Sequence, residues 1–216
     1  MKNANRIAIY ICGIFLLALG GVLAIKSNLG ASPVSSLPLS ISKVTSISLG
    51  RAAAILFIIY VGIQILILRR DFKIVQLLQI IFAILFGQIM NFFNAIININ
   101  VDSFYIRIVI CILSFFITAF GVTFTITANI VPVAPDGLAQ VISKKAKIEF
   151  GKAKIYFDCV VVALSVGILL INNKGLDGLG IGTIVAAFTM GKMVSITGSW
   201  IDQRVTFASV LSKQTI

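Results

Sequence analysis

The feature that most constrains this chain is a proline-broken polar segment that occurs twice in one register. Ser27-Asn28-Leu29-Gly30-Ala31-Ser32-Pro33-Val34-Ser35-Ser36-Leu37-Pro38 interrupts an apolar chain, and Thr127-Ala128-Asn129-Ile130-Val131-Pro132-Val133-Ala134-Pro135-Asp136-Gly137-Leu138 does so again. A shift of 101 residues pairs Gly20 with Gly121, Asn28 with Asn129 and Leu37 with Leu138. It also pairs Ile41-Ser42-Lys43 with Ile142-Ser143-Lys144, and Gly50 with Gly151, without a gap. The chain therefore reads as two copies of one unit: an apolar helix, a broken polar segment, then more apolar helix.

Composition sets the solvent. Hydrophobic residues make up 59% of the chain and charged residues 12%, with a mean hydropathy of +1.08. A soluble domain carries about 25% charged residues. Six apolar runs are long enough for a bilayer crossing, which takes roughly 20 residues. They are Ile7–Ile25, Arg51–Leu68, Ile74–Ile97, Phe104–Ile126, Lys152–Ile171 and Gly178–Trp200. The expected fold is an all-α integral membrane protein whose residues 1–216 form one membrane domain. Repeat 1 covers about residues 7–98, repeat 2 about residues 104–200, and residues 201–216 form a polar tail. The basic start at Lys2 and Arg6 resembles a signal peptide, but the run that follows is long and opens the first repeat, so it reads as a retained helix.

Orientation follows from the lysines and arginines. With the N-terminus inside, the inner side receives Lys2, Arg6, Arg69, Arg70, Lys73, Lys144, Lys145, Lys147, Lys152, Lys154, Arg204 and Lys213. The outer side receives Lys26, Lys43, Arg51, Arg107 and Lys174, while Lys192 falls within a span. This positive-inside bias puts both termini in the cytoplasm. It also accounts for the net charge of +11 without nucleic acid, since no basic stripe interleaved with aromatics occurs. Three spans per copy insert the second copy upside down relative to the first. Inverted repeats with interrupted helices are a ground plan of secondary transporters.

These residues resemble a known family. Asn28-Leu29-Gly30-Ala31-Ser32-Pro33 followed by Leu37 is similar to the LG-x-x-P-x-x-x-L segment of the YczE/YyaS/YitT-type bacterial membrane proteins. Gly180-Ile181-Gly182-Thr183, with Gly191 beyond, resembles the G-x-G-T segment that opens that family's last helix. The resemblance covers essentially the whole chain and implies the six-helix fold and a bacterial plasma membrane. Many members carry a Trp-Asp pair after the first proline, where this chain has Val34-Ser35; Asp136 in the second copy is the nearest substitute.

Irregular backbone at membrane depth survives only inside protein or beside a water-filled cavity. The two broken segments thus mark either a cavity or ordinary surface turns. On the first reading the candidate substrate-binding residues are Asn28, Ser32, Pro33, Ser35, Ser36, Asn129, Pro135 and Asp136, with Gln88 and Asn91 from the unusually polar third span. The prolines oppose a regular helix through either segment. Short helices are expected over Leu37–Ser42, capped by Ser35 or Ser36, and from Asp136, itself a cap, towards Lys144. Their N-terminal ends carry partial positive charge that suits anions or carboxylates.

Asp158 and Lys192 lie at similar depths in the fifth and sixth spans and form a candidate intramembrane charge pair, charges there being costly and prone to pair. The alternative is Asp158 with Lys154 one turn away and Lys192 reaching to the interface. Gly178, Gly182, Ala186 and Gly191 belong to rows of small residues that let helices approach closely. Gly178–Gly182 lacks the spacing and the preceding strand of a nucleotide fingerprint.

The chain contains no histidine, which excludes His-metal centres and His-based triads, and Cys12, Cys111 and Cys159 lie in apolar runs without metal-ligand spacing. No cofactor and no enzymatic role is expected. The expected role is binding or moving a small solute at the interface of the two repeats. Two others stay open: a substrate-binding subunit of a larger energised transporter, and a non-transporting scaffold or regulator. Membrane lipids, a small solute, and a second copy or partner subunit are the expected partners. Reporter fusions should put the Arg69–Lys73 turn and the Lys144–Lys154 loop inside and the Lys174 turn outside; an external Lys144 loop would overturn the inverted arrangement.

Overall fold

In the computed structural model the backbone is described over residues 3–98, 103–176 and 178–214, and side chains over residues 4–98, 103–176 and 178–200. Lys2, Asn100, Asp102 and Asp177 lie outside the described residues, as do the side chains of Arg204 and Lys213. Among the described residues eight α-helices follow one another: α1 (Asn3–Lys26), α2 (Pro33–Thr45), α3 (Leu49–Leu68), α4 (Leu78–Ile96), α5 (Phe104–Thr127), α6 (Ala134–Ala146), α7 (Phe150–Ile171) and α8 (Ile181–Gln214). Two short 3₁₀ turns, Arg69–Asp71 and Ile74–Leu77, join α3 to α4. Six of the helical stretches are long and apolar enough to cross a membrane. Many large apolar side chains on their outer faces, Leu66, Ile81 and Ile181 among them, are exposed, as suits lipid contact.

The prolines do not break the segments in the expected way. Pro33 occupies the first turn of α2, where the missing N–H costs nothing, and Pro38 sits inside a continuous helix. The cap of α2 is Ser32 rather than Ser35 or Ser36, and α2 extends to both sides of the expected Leu37–Ser42. Likewise α6 starts after Val133, which offers no capping side chain, with Asp136 inside its first turn. Pro135 is the second helical residue, a position whose N–H has no intrahelical partner in any case. The sixth span begins at Ile181, because Gly178 lies in a turn, at φ +82°. Its helix then runs on without interruption to Gln214, so the expected polar tail continues α8.

Local geometry recurs at the spacing of the sequence repeat. Asn28 and Asn129 both adopt the left-handed conformation after α1 and α5, at φ 55° and 49°. Ser46 and Lys147 do the same after α2 and α6, at φ 59° and 53°. Ser42 Oγ donates to the Ile47 carbonyl at 2.6 Å, and Ser143 Oγ to the Ile148 carbonyl at 2.7 Å.

The most extensive packing joins α1 to α5. Small residues allow it: a Cβ on Gly13 would lie 2.9 Å from the Gly121 carbonyl oxygen, and one on Gly20 2.9 Å from the Ser114 carbonyl oxygen. The two short helices pack across the molecule, α2 chiefly on α7 and α6 chiefly on α3. Two further close pairs flank the centre. In the α3–α4 pair, Gly50 and Gly87 meet backbone to backbone; in the α7–α8 pair, a Cβ on Gly191 would lie 3.1 Å from the Gly151 carbonyl oxygen.

These approaches are testable. Gly121→Leu should lower the unfolding midpoint strongly, since overpacking a dense contact costs about 1–3 kcal/mol and backbone is the obstacle here. Gly62→Ala, with nothing within 4 Å of the added carbon, should be neutral or slightly stabilising. Equal midpoints for the two variants would contradict the packing.

Candidate functional site

The first turn of α6 carries Asp136 into the interior, where it is 1% exposed. An acidic residue there complements the positive end of a helix. Yet neither Asp136 carboxylate oxygen has a hydrogen-bond partner, so it is not a capping group. Its nearest countercharge is Lys154, whose Nζ lies 3.5 Å from Asp136 Oδ1. The same Nζ donates to Asp158 Oδ1 at 2.6 Å, one turn further along α7. Lys154 and Asp158 are each 1% exposed. Two carboxylates thus share one ammonium in the buried interior, where an unpaired charge is expensive.

Neighbouring helices close the cluster. Lys154 Nζ stands 5.7 Å from the centre of the Phe157 ring, against which Tyr60 of α3 packs edge-on. Tyr10 of α1 is fully buried within electrostatic reach of Asp136, and its hydroxyl has no partner. Gln64 of α3 and Gln79 of α4 exchange amide hydrogen bonds of 3.0 and 3.1 Å. Gln64 Nε2 also donates to the Ala134 carbonyl at 3.1 Å, fixing the start of α6. Gly137 faces this amide pair: a Cβ there would lie 3.1 Å from both Gln64 Oε1 and Gln79 Oε1. On the other side Gly137 borders a cavity of about 620 Å³, lined also by Gln76, Asn129, Pro132, Gln140, Lys144 and Lys145. Gly137 follows Asp136 in α6, and Asp136 itself does not line this cavity.

The corresponding region of α2 is uncharged. Ser32, Ser35, Ser36 and Ser40 are all buried. Ser32 Oγ donates to Ser35 Oγ at 3.1 Å, and Ser165 Oγ of α7 lies 3.0 Å from Ser36 Oγ. Ser165 follows Asp158 by two turns, about 10 Å along the axis. Helix α7 thus lines up Lys154, Asp158 and Ser165 on one buried face and touches both short helices with it.

The other candidate residues lie apart from this interior. Asn28 and Asn129 are exposed helix-ending residues, Asn129 reaching only the rim of the cavity. Gln88 is exposed. Asn91 is half-buried and serves the start of α3: its Oδ1 accepts from the Gly50 N–H at 2.8 Å and its amide donates to Ser48 Oγ at 3.3 Å. Lys192 is exposed on α8, and the charge paired with Asp158 is Lys154. Pro33 and Pro135 are buried in the first turns of their helices. Gly182, Ala186 and Gly191 pack inward; Gly182 approaches Cys111 and the Leu29 carbonyl, and Gly178 meets Leu39 from its turn. Arg6, counted as an inner-side charge, bonds the Ala128 and Asn129 carbonyls at the end of α5.

Gln64, Ser165, Tyr10 and Tyr60 are not among the candidates the sequence offers, and Lys154 is there only as the alternative partner of Asp158, the pairing the structure has. Lys154 offered a signal, being spaced four residues from Asp158, but it lies so near the helix start that it also reads as a loop charge. The two amides and the serine become recognisable only when α3 and α7 are set against the opposite short helices.

A family model matches residues 4–199, and the chain belongs to that family, described as a family of unknown function (DUF6198). No curated protein and no solved structure matches the chain.

The charge cluster yields a coupling test. Lys154→Met should destabilise the fold by about 3–5 kcal/mol, because both carboxylates lose their cation. Adding Asp158→Leu should recover part of that loss. Unfolding midpoints of the double-mutant cycle should therefore be non-additive for Lys154 with Asp158 and additive for Lys192 with Asp158.

Proposed function

We propose that this member of a family without an assigned activity binds and moves a small polar solute at the interface of two inverted repeats, in a bacterial plasma membrane with both termini in the cytoplasm. The carrying observation is the reciprocal packing of the short helices: α2 rests on α7, and α6 rests on α3. Under the shift of 101 these contacts exchange. Ser165 approaching Ser36 becomes Gln64 approaching Gly137, and Gly20 against Ser114 becomes Gly121 against Gly13. A pseudo-two-fold axis between α1 and α5 accounts for this exchange. Such an axis in the membrane plane, with broken helices beside it, is the arrangement in which secondary transporters hold their solutes.

The kinship to YczE/YyaS/YitT-type proteins belongs to the same proposal and rests on the Asn28–Pro33 and Gly180–Thr183 segments. No enzymatic role and no cofactor is proposed. The hydroxyl-lined start of α2 and the acid-bearing start of α6 differ in charge, which favours a small zwitterionic solute with unlike ends.

Cysteine labelling in a background without Cys12, Cys111 and Cys159 tests this. Cysteines at Ser35 and Ser36 should react slowly with a small water-soluble reagent from outside, and one at Gln140 should react from inside. A transported solute from a panel of amino acids and small organic acids should slow both reactions. Labelling at the free rate of Ser46, without protection by any solute, would mark these segments as surface turns.

A further inference from the structure

We propose that Asp136 is a proton-binding site, loaded from the cavity beside Gly137, and that Lys154 is shared between Asp136 and Asp158 according to whether that proton is bound. The coupling role rests on the transport reading above, whereas the proton site is measurable without it.

Charge counting comes first. The interior holds two carboxylates against one ammonium, all about 1% exposed. The remaining charged or titratable groups near them are few. Tyr10 of α1 and Tyr60 of α3 are phenols, Cys159 of α7 is a thiol, and Gln64 and Gln79 are neutral amides. None supplies a second positive charge. The excess negative charge calls for a cation, and burial at this depth makes an uncompensated one expensive.

Geometry decides which cation. A hard metal ion takes six or more oxygen ligands, and among the described residues no group of three His, Cys, Asp or Glu side chains could hold a metal. The Lys154 ammonium already stands between the two carboxylates, 2.6 Å from one and 3.5 Å from the other, where it would repel a metal ion. A proton needs a single oxygen; both oxygens of Asp136 lack hydrogen-bond partners, whereas Asp158 lacks one only on Oδ2, its Oδ1 accepting from Lys154.

The asymmetry of the lysine contacts then defines two states. With Asp136 neutral, Lys154 closes on Asp158, as the distances describe. With the proton released to water, Asp136 carries a charge and draws the same ammonium towards it. The step moves one proton between solvent and carboxylate and breaks no other bond. Gly137, the residue next to Asp136 in α6, lines the 620 Å³ cavity, and this is the route the proposal assigns to the proton.

Infrared difference spectra of the purified full chain in lipid nanodiscs, recorded on stepping the pH, test this. A protonated-carboxyl C=O band should appear on acidification and shift in D2O. It should vanish in Asp136→Asn and survive in Asp158→Asn, there with a lower midpoint, because Lys154 then serves Asp136 alone. Lys154→Gln should raise the midpoint by about 1–3 pH units. A wild-type protein without a titrating buried aspartic acid band overturns the proposal, whatever the variants do. So does a band that persists in Asp136→Asn. If Asp136→Asn does not fold, the assignment falls to Asp158→Asn, where loss of the band would overturn it. Labelled-solute uptake that ignores a pH gradient, in a protein that shows the band, would count against coupling and leave the proton site standing.

Discussion

A backbone that stops being helical inside an apolar solvent must be covered by protein, because each bare N–H or C=O costs several kcal/mol there. This requirement shapes the whole molecule. Helices α2 and α6 begin in the interior, and each start is covered by a helix from the other half: Ser165 of α7 reaches Ser36, and Gln64 of α3 bonds the Ala134 carbonyl. Helices of the same half add to this cover, α3 packing on α2 and α7 on α6. The close α1–α5 contact and the reciprocal placement of the short helices follow from the same need.

The charged cluster is a second consequence of interior helix starts. The positive end of α6 makes the position of Asp136 tolerable for an acid, and Lys154 makes it less costly still. The α2 start meets the same constraint with hydroxyl groups alone. Two positions paired by the sequence repeat thus hold different chemistry, Ser35 standing where the shift of 101 puts Asp136. The repeated segment in this way carries a one-sided distribution of charge.

Six apolar helices were legible in the sequence because length and hydropathy specify them directly. The left-handed turns at Asn28 and Asn129 were legible as interruptions, though their role is to end helices rather than to face a cavity. The prolines misled because their cost depends on position: Pro33 and Pro135 sit where no intrahelical N–H bond is required, so the helices begin earlier than expected. The Lys154 contact was only half legible. Spacing gives its partner Asp158, but nothing local reveals that Asp136, eighteen positions earlier, folds back to the same ammonium. Gln88 and Lys192 show the converse, polar residues in apolar spans that reach outward. Long-range juxtaposition is set by helix–helix packing, and a single sequence carries little of it.

The α1–α5 contact has a mechanical side. Where Gly13 meets Gly121 and Gly20 meets Ser114, no carbon atom's width separates the two backbones. A slide by one residue, or a rotation that brought Leu17 or Leu19 into those notches, would drive side chain into backbone. The pair is therefore shaped like a keyed axle, its close backbone contacts opposing a slide of one helix along the other. Under the transport proposal, opening of the two short-helix starts would fall to the outer pairs, α3 with α4 and α7 with α8, rather than to a shear between α1 and α5.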